Sequence, residues 1–277
     1  MAETSKPLQN AAPRKPSARL LFVKSSRYLT PNMIRITLTG DELEGFPENH
    51  EGANCKLVFP EGQRDPVAFR GYFADGMPKK GTFPVRTYTV RHYRPETQEL
   101  DIDFVAHGDE GPATRWAQQA KPGDFLMFRG PGPVKVPEFY ARYYIVVADM
   151  SALPVAAATL EAMPREAKGI AVFEIMSEED KQHIDMPVGI DVHWIVHSDP
   201  HVPSHAALEL IQSRDWPEGP IQTCIAGEHG MVRDFKQFLL KEKQVPARDT
   251  YISGYWKIGL VEDQHQIMKR QEAAASQ

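Results

Sequence analysis

The second half of the chain alternates short apolar runs with helical segments, and this alternation restricts the possible folds more than any other feature. Five apolar runs of strand length cover residues 143–148, 169–175, 191–196, 221–226 and 250–253. Segments with helical character lie between them, at residues 152–163, 204–214 and 231–243. Apolar strands that alternate with helices are typical of a parallel sheet covered on both faces. We therefore predict an α/β domain over residues 139–277 that ends in a C-terminal helix.

The first half of the chain has the pattern of an antiparallel β domain. Six segments with strand character cover residues 19–29, 33–39, 55–59, 86–91, 100–107 and 125–129. Residues 33–39 alternate polar and apolar side chains with a period of two, as a half-buried strand does. Six strands with short turns indicate a small barrel or sandwich. We predict a six-stranded antiparallel β-barrel over residues 18–138, containing one long loop at residues 61–84 that is functional or mobile.

Composition excludes several functional classes. The 277-residue chain carries a net charge of −5, which argues against nucleic acid or a membrane surface as a partner. Its two cysteines, Cys55 and Cys224, are too few for a disulfide framework, a zinc site or a cysteine-ligated cluster. Residues 1–17 are polar and contain no apolar core of signal-peptide length, so we expect a disordered leader on a cytoplasmic protein. The oligomeric state stays open, and we take a monomer as the default.

The segment from Arg86 to Arg91 combines an aromatic ring, two hydroxyls and two cations in six residues. Thr, Tyr and Val favour an extended backbone, and alternation places Arg86 and Tyr88 on the face opposite Thr87, Thr89 and Arg91. An aromatic ring beside a cation suits a planar ligand that bears phosphates. A half-buried strand with solvated arginines is the alternative interpretation.

A second candidate element is the glycine-rich turn that leads into Pro112. Proline suits the first turn of a helix, and residues 113–120 can form two turns before Pro122 and Gly123 end them. A helix that begins after glycines exposes backbone N–H groups to an anion such as a pyrophosphate. A short helix after an ordinary Gly-Pro turn is the alternative.

In an open α/β sheet, ligands bind at the carboxyl ends of the strands. In this chain those ends carry Asp149, Ser151, Gly227 and Glu228, which are our candidates for binding a second ligand. No GxGxxG sequence follows the first of these strands, so the common dinucleotide fingerprint is absent from the sequence.

The order of the two domains and six short motifs together resemble a known family. The motifs are residues 86–91, 103–108, 111–113, 116–117, 122–124 and the Gly-Tyr-Trp-Lys-Ile-Gly of residues 254–259. They are similar to the siderophore-interacting proteins, which are flavin-dependent ferric-siderophore reductases of the ferredoxin–NADP reductase superfamily. The last motif is the most discriminating, and the resemblance extends from about residue 18 to the final helix.

The resemblance implies FAD in the barrel domain. Arg86 would pair with the pyrophosphate, while Tyr88 would stack on the flavin and Thr89 would hydrogen-bond its reactive nitrogen, so Tyr88 and Thr89 are the candidate catalytic residues. The implied FAD-binding set is Arg86, Thr87, Tyr88, Thr89, Asp103, Phe104, Val105, His107, Gly111, Pro112, Ala113 and Thr114.

The resemblance also implies NADH or NADPH as electron donor and a ferric siderophore as substrate, with no metal ligands supplied by the protein. Asp149, Ser151, Gly227 and Glu228 are the candidates for binding the nicotinamide cofactor. Carboxylates at Glu174 and at residues 178–180 would repel a 2′-phosphate, which favours NADH. A solvated, acidic start of a helix is the alternative interpretation of residues 178–180.

Three cations are candidates for binding an anionic ferric complex: Lys56, Arg129 and Lys257. Lys257 could equally hold a phosphate of the nicotinamide cofactor. Two other functions stay open at this stage. One is a flavin reductase with a different acceptor, and the other is a non-redox carrier of ferric chelates.

Overall fold

The computed structural model describes residues 18–106 and 111–260, together with Met268 and Gln271. The first domain contains seven strands: β1 (Arg19–Thr30), β2 (Met33–Thr39), β3 (Asn54–Val58), β4 (Val85–Thr89), β5 (His92–Arg94), β6 (Glu99–Val105) and β7 (Phe125–Arg129). It also contains the helices α1 (Pro66–Gly71) and α2 (Pro112–Gln119). The predicted leader, residues 1–17, and most of the predicted C-terminal helix lie outside the described residues.

The seven strands form one antiparallel sheet in the order β4-β3-β7-β1-β2-β6-β5. β4 and β5 lie at opposite ends of this order, yet only Val90 and Arg91 separate them in sequence. The sheet must therefore curl until its edges meet, and the backbone N–H groups of Val90 and Arg91 donate to Ala53 and Asp101 on the two sides. The predicted barrel architecture is confirmed, with one strand more than the six we expected. The additional strand, β5, is only three residues long and is too short to show an alternation.

The barrel core is formed by buried aliphatic and aromatic side chains, among them Leu21, Ile36, Leu57 and Phe128. A separate apolar cluster lies under the segment that we predicted to be a long loop. There α1 supplies Phe69, which packs against Phe83 at a ring distance of 5.0 Å. This segment therefore contains a helix with a small core of its own. The sequence did not indicate that helix, because many polar residues surround its few apolar ones.

The second domain has the predicted parallel sheet. Its strands are β8 (Tyr143–Asp149), β9 (Lys168–Ile175), β10 (Gly189–Val196), β11 (Ile221–Glu228) and β12 (Thr250–Trp256), in the order β10-β9-β8-β11-β12. Helices α3 (Leu153–Ala162), α4 (Ala206–Gln212) and α5 (His229–Lys236) accompany them, and a π-helical segment, Gln237–Glu242, extends α5. Two apolar clusters lie against the sheet. Among the described residues, no helix is long and apolar enough to cross a membrane.

Buried polar contacts join the two domains. Asp180, which is fully buried, accepts hydrogen bonds from Thr30 Oγ1 at 2.8 Å, Asn32 N at 3.0 Å and Asn32 Nδ2 at 2.8 Å. Thr30 and Asn32 lie at the turn between β1 and β2, so this carboxylate attaches the α/β domain to one end of the barrel. Met33, from the barrel, is buried within an apolar cluster of the α/β domain. The domain boundary at residue 138 stays a prediction.

Candidate functional site

A cavity of about 850 Å³ lies between the barrel and the carboxyl edge of the parallel sheet, a size typical of ligand pockets. It brings together most of the residues that the sequence singled out. Those lining it are Lys56, Arg86, Thr87, Tyr88, Thr89, Asp103, Val105, Gly111, Ala113, Thr114, Asp149, Ser151, Glu228 and Lys257. The cavity lies where the two domains meet, so a ligand in it contacts both.

On the barrel side, β4 presents an aromatic ring and a hydroxyl to the cavity. The ring of Tyr88 packs partly on the fully buried Phe104, with 4.3 Å between the ring centroids. This contact fixes the ring against the barrel core. Thr89 is 4 % exposed, and Tyr255 of the other domain lines the same cavity.

The N-terminus of α2 faces the same cavity through Gly111, Ala113 and Thr114. Among the described residues, no side chain caps this helix, and its first turn contains no acidic residue. Its first backbone N–H groups and its partial positive charge therefore suit an anion. Together with Arg86 and the ring of Tyr88, these groups fit the phosphates and the planar ring system of FAD.

Three members of the implied FAD-binding set are not part of the cavity lining that the structure describes. Phe104 belongs to the barrel core, so it supports Tyr88 rather than presenting its own side chain to a ligand. Pro112 occupies the first turn of α2 without lining the cavity. His107 lies outside the described residues.

Asp103 lines the cavity, but its carboxylate is already engaged within the protein. Arg35 donates to both of its oxygens, at 2.7 and 2.8 Å, and Arg91 Nε lies 3.8 Å away. The residue is 5 % exposed. Asp103 therefore forms part of a buried charge network beside the cavity, which alternation along β6 could not reveal.

On the α/β side, Asp149 organises the edge of the sheet. Its carboxylate accepts hydrogen bonds from Ser151 Oγ at 2.6 Å, from Glu228 N at 2.7 Å and from Trp256 Nε1 at 2.7 Å. Burial raises the pKa of Asp149, against the effect of these hydrogen bonds. Gly227 does not line the cavity. A Cβ at that position would meet Asp149 Oδ2 at 2.6 Å, so the close approach of the carboxylate requires glycine.

Glu228 has a similar scaffolding role. Its carboxylate accepts hydrogen bonds from the backbone N–H groups that open α5, and from Ile258 N at 3.3 Å. Asp149 and Glu228 thus hold Trp256 and Ile258, the residues on either side of Lys257. Two acids that we expected to bind the nicotinamide cofactor also fix the position of the most discriminating motif in the chain.

The carboxylates predicted to discriminate against a 2′-phosphate are not together. Glu174, at the end of β9, lines the cavity, accepts a hydrogen bond from Ser204 Oγ at 2.6 Å and has its pKa raised by burial. Asp180 is instead buried against the barrel, and Glu178 and Glu179 are exposed away from the cavity lining. Residues 178–180 therefore supply no carboxylate to the lining that the structure describes, because the chain turns away from the sheet edge after β9, and the preference for NADH stays a prediction.

Two of the three cations predicted to hold a ferric complex line the cavity. Lys56 hydrogen-bonds the Thr87 hydroxyl, and Lys257 Nζ lies 3.2 Å from the sulfur of Met268. The third, Arg129, does not line the cavity. It pairs with Lys56 in the ladder between β3 and β7, so Arg129 lies one strand further from the cavity than Lys56.

A further lysine, Lys135, lines the cavity and was not predicted. Its Nζ donates to Asn54 Oδ1 at 2.7 Å, and burial lowers its pKa. It lies in the irregular connection between the domains, where the sequence has no periodicity that would have indicated its orientation. Among the described residues, no group of three or more histidine, cysteine or acidic side chains is arranged to hold a metal ion.

A β-barrel with an aromatic and cationic strand, a helix N-terminus facing the same cavity and an adjoining parallel sheet form the fold that is also found in ferredoxin reductases. The family descriptions "Siderophore-interacting FAD-binding domain" and "Siderophore-interacting protein" match residues 22–135 and 141–259. The chain belongs to the siderophore-interacting protein family, and it is an FAD-dependent oxidoreductase.

Named relatives and solved structures agree with this assignment. The chain is 35% identical to the ferric vibriobactin reductase ViuB of Vibrio cholerae, over 88% of this chain and 91% of the relative. It is 30% identical to the NADPH-dependent ferric-chelate reductase of Escherichia coli, over 86% and 92%. The crystal structure of the siderophore-interacting protein SipS from Aeromonas hydrophila superposes with a TM-score of 0.80 at 33% identity, covering 94% of this chain and 99% of that one.

Proposed function

We propose that the protein reduces ferric siderophores, passing electrons from a nicotinamide cofactor through FAD to Fe(III) in the cytoplasm, as a monomer. The observation that carries this proposal is the cavity between the domains, in which cations from both domains share a lining with Tyr88 and Thr89. The carboxylates in the same lining each accept hydrogen bonds from within the protein, so the cations of the cavity can attract an anionic ligand.

FAD would be held by Arg86, by the backbone N–H groups at the start of α2 and by the ring of Tyr88. Bound FAD can accept two electrons at once and release them singly, which is what reduction of Fe(III) by a nicotinamide cofactor requires. Thr89 of the barrel and Tyr255 of the α/β domain both line the cavity at the boundary between the two domains. Their position supports a role where the two bound cofactors would approach each other.

An anionic ferric complex would be held by Lys56, Lys135 and Lys257. Lys56 and Asn54 are two residues apart on β3 and so project to the same side, about 7 Å apart along the strand. Lys135 contacts Asn54 and therefore lies near Lys56, while Lys257 enters the same cavity from the end of β12. Relatives named as reductases of ferric vibriobactin and of ferric chelates support a ferric substrate for this chain as well.

We favour NADH over NADPH as the electron donor. Glu174 lines the α/β side of the cavity. Its neighbours in the lining are His197, His201 and Ser204, so no lysine or arginine lies among them to pair with a 2′-phosphate. A carboxylate disfavours a second anion at short range. Steady-state kinetics with both cofactors test this, and a specificity constant for NADPH well above that for NADH would overturn the preference.

The experiment that tests the function is anaerobic reduction of the bound flavin, followed by mixing with a panel of ferric siderophores. We expect NADH to bleach the flavin absorbance, and a ferric siderophore to restore it while Fe(II) appears in a ferrozine assay. Reoxidation by ferricyanide or quinones but by none of the ferric siderophores would indicate a flavin reductase with another acceptor.

Substitution of the cations tests which of them hold the substrate. Lys135→Met is expected to raise the Michaelis constant for an anionic ferric complex about tenfold, because it removes one charge contact to the complex; a tenfold change corresponds to about 1.4 kcal/mol. The matched control is Arg129→Met, which removes a cation one strand outside the cavity and is expected to change the constant less than about threefold. Equal effects of the two substitutions would remove Lys135 from the proposed site.

A further inference from the structure

Arg91, the last residue of the segment from Arg86 to Arg91, contacts the other domain. One interpretation of the sequence placed this arginine in solvent, yet it is only 4 % exposed. Its guanidinium donates to both oxygens of Glu161 on α3, at 2.7 Å each. Such a bidentate pair fixes orientation as well as distance. We call Arg91 and Glu161 the interdomain pair.

The interdomain pair connects the two elements that carry the two sides of the cavity. Arg91 follows Thr89, which lines the barrel side, by two residues. Glu161 lies on α3, which begins four residues after Asp149 at the α/β edge. A helix rises about 1.5 Å per residue, so Glu161 lies about 12 Å along α3 from its start. A displacement at the pair is therefore transmitted through α3 to the edge that carries Asp149 and Ser151.

Surrounding charges hold the pair in place. Asp103 and Arg35 flank Arg91 on the barrel side, and His92 lies 3.4 Å from Glu161. Burial acts to raise the pKa of Glu161, but hydrogen bonds from His92 and Arg91 outweigh it and lower the pKa to about 2. The carboxylate of Glu161 is therefore ionised at neutral pH, and it faces the positive charge of Arg91.

A second polar attachment between the domains is Asp180, which contacts the turn between β1 and β2. The two polar attachments lie at different places on the interface, so together with the apolar contact at Met33 they restrict rotation of one domain against the other. We propose that Arg91 and Glu161 are positioning residues that set the angle between the domains, and with it the approach of the nicotinamide cofactor to the flavin.

The inference rests on the proposed transfer of a hydride, two electrons with one proton, from the nicotinamide cofactor to FAD. Each cofactor would bind mainly to its own domain, so loss of the pair should leave both affinities intact. Transfer between the cofactors should slow, because a misplacement of about 1 Å can reduce a rate about a hundredfold. Transfer out of the flavin to a small, freely diffusing acceptor should not change.

The test uses the FAD-loaded full chain carrying Glu161→Gln, which keeps the size of the side chain and removes its charge. In anaerobic stopped-flow measurements with NADH, and with NADPH in parallel, we expect the limiting rate constant of flavin reduction to fall at least about tenfold. The dissociation constants for the nicotinamide cofactor and for FAD, the latter from dilution of the loaded protein, should stay at their wild-type values. Reoxidation of the photoreduced flavin by ferricyanide should also keep its wild-type rate.

The control is Asp185→Asn, which breaks an exposed ion pair with Arg165 inside the α/β domain and should leave every quantity unchanged. Equal slowing of flavin reduction and of reoxidation, or an altered affinity for FAD, would show a general structural defect and overturn the proposal. So would an unchanged rate of reduction in both Glu161→Gln and Glu161→Ala. If neither nicotinamide cofactor reduces the wild-type flavin, the proposed donor is wrong and the inference fails with it.

Discussion

Asp180 makes an extensive buried polar contact between the domains, and its replacement by alanine tests whether the two halves are energetically coupled. The substitution removes the acceptor for Thr30 Oγ1, for Asn32 N and for Asn32 Nδ2. It also removes the acceptor for Ser177 N and Ser177 Oγ within its own turn.

The cost can be worked out from the donors left without an acceptor. The Asn32 side chain is partly exposed and can turn to water, but Thr30 is 8 % exposed, and the Asn32 N–H faces the interface. Two buried donors left unpaired cost about 3 to 4 kcal/mol in the free energy of unfolding, at roughly 1.5 to 2 kcal/mol each. For a chain of this size that corresponds to a fall in Tm of roughly 6 to 16 °C.

Differential scanning calorimetry of the FAD-loaded protein measures this fall. The matched control is Glu178→Ala, which removes an exposed carboxylate two residues away and should lower Tm by no more than about 2 °C. A fall of less than about 3 °C for Asp180→Ala would refute the reasoning, because the interface would then not depend on these hydrogen bonds.

Three further predictions concern titratable groups whose pKa values the fold shifts. Burial acts to raise the pKa of Asp180, but hydrogen bonds from the barrel outweigh this effect and lower the pKa. The stabilisation of the fold by the ionised carboxylate is therefore complete above the unfolded pKa of about 3.9, and it is lost as the pH falls through the folded pKa. The difference in stability between the wild type and Asp180→Asn should therefore shrink on acidification, and a constant difference down to about pH 2 would contradict this. Burial acts to lower the pKa of His92, but hydrogen bonds to two carboxylates outweigh this effect and raise the pKa. Stabilisation of the fold by protonated His92 is therefore complete below about pH 6.5, and it is lost as the pH rises through the raised pKa of the folded state. His92→Gln should remove this loss from urea unfolding compared at pH 6 and pH 8, and an already flat wild-type profile would argue against it. Burial raises the pKa of Cys55 and raises that of Cys224 to about 12, so neither should react with a thiol reagent at pH 8 in the native state, and prompt labelling would show the prediction to be wrong.

The architecture was predictable from the sequence because both domains follow simple periodic patterns. Apolar runs separated by helices predicted all five parallel strands, and the six antiparallel strands were found to within a few residues. The elements that were missed, α1 and β5, are short, with six and three residues. Over such lengths a periodic pattern cannot be distinguished from chance, and their positions depend on contacts with distant parts of the chain.

The candidate site was less predictable, since alternation assigns a face to a side chain but not a partner. Phe104 and Asp103 are neighbours on β6 in a motif that implied cofactor binding, yet one packs in the core and the other pairs with Arg35. Lys135 belongs to an irregular segment, where no pattern indicates a direction. Each of these outcomes depends on a residue far away in sequence, such as Asn54 beside Lys135.

Carboxylates at the ends of parallel strands illustrate the same difficulty with a functional consequence. The positions of Asp149 and Glu228 correctly indicated the sheet edge that lines the cavity, but much of their acceptor capacity is used by donors within the protein. Those donors include Trp256 and Ile258, which flank Lys257. The hydrogen bonds that shape the proposed nicotinamide side of the cavity therefore also hold the lysine proposed to contact the ferric substrate. Because the two binding functions would share one scaffold, a change at this edge should act on both.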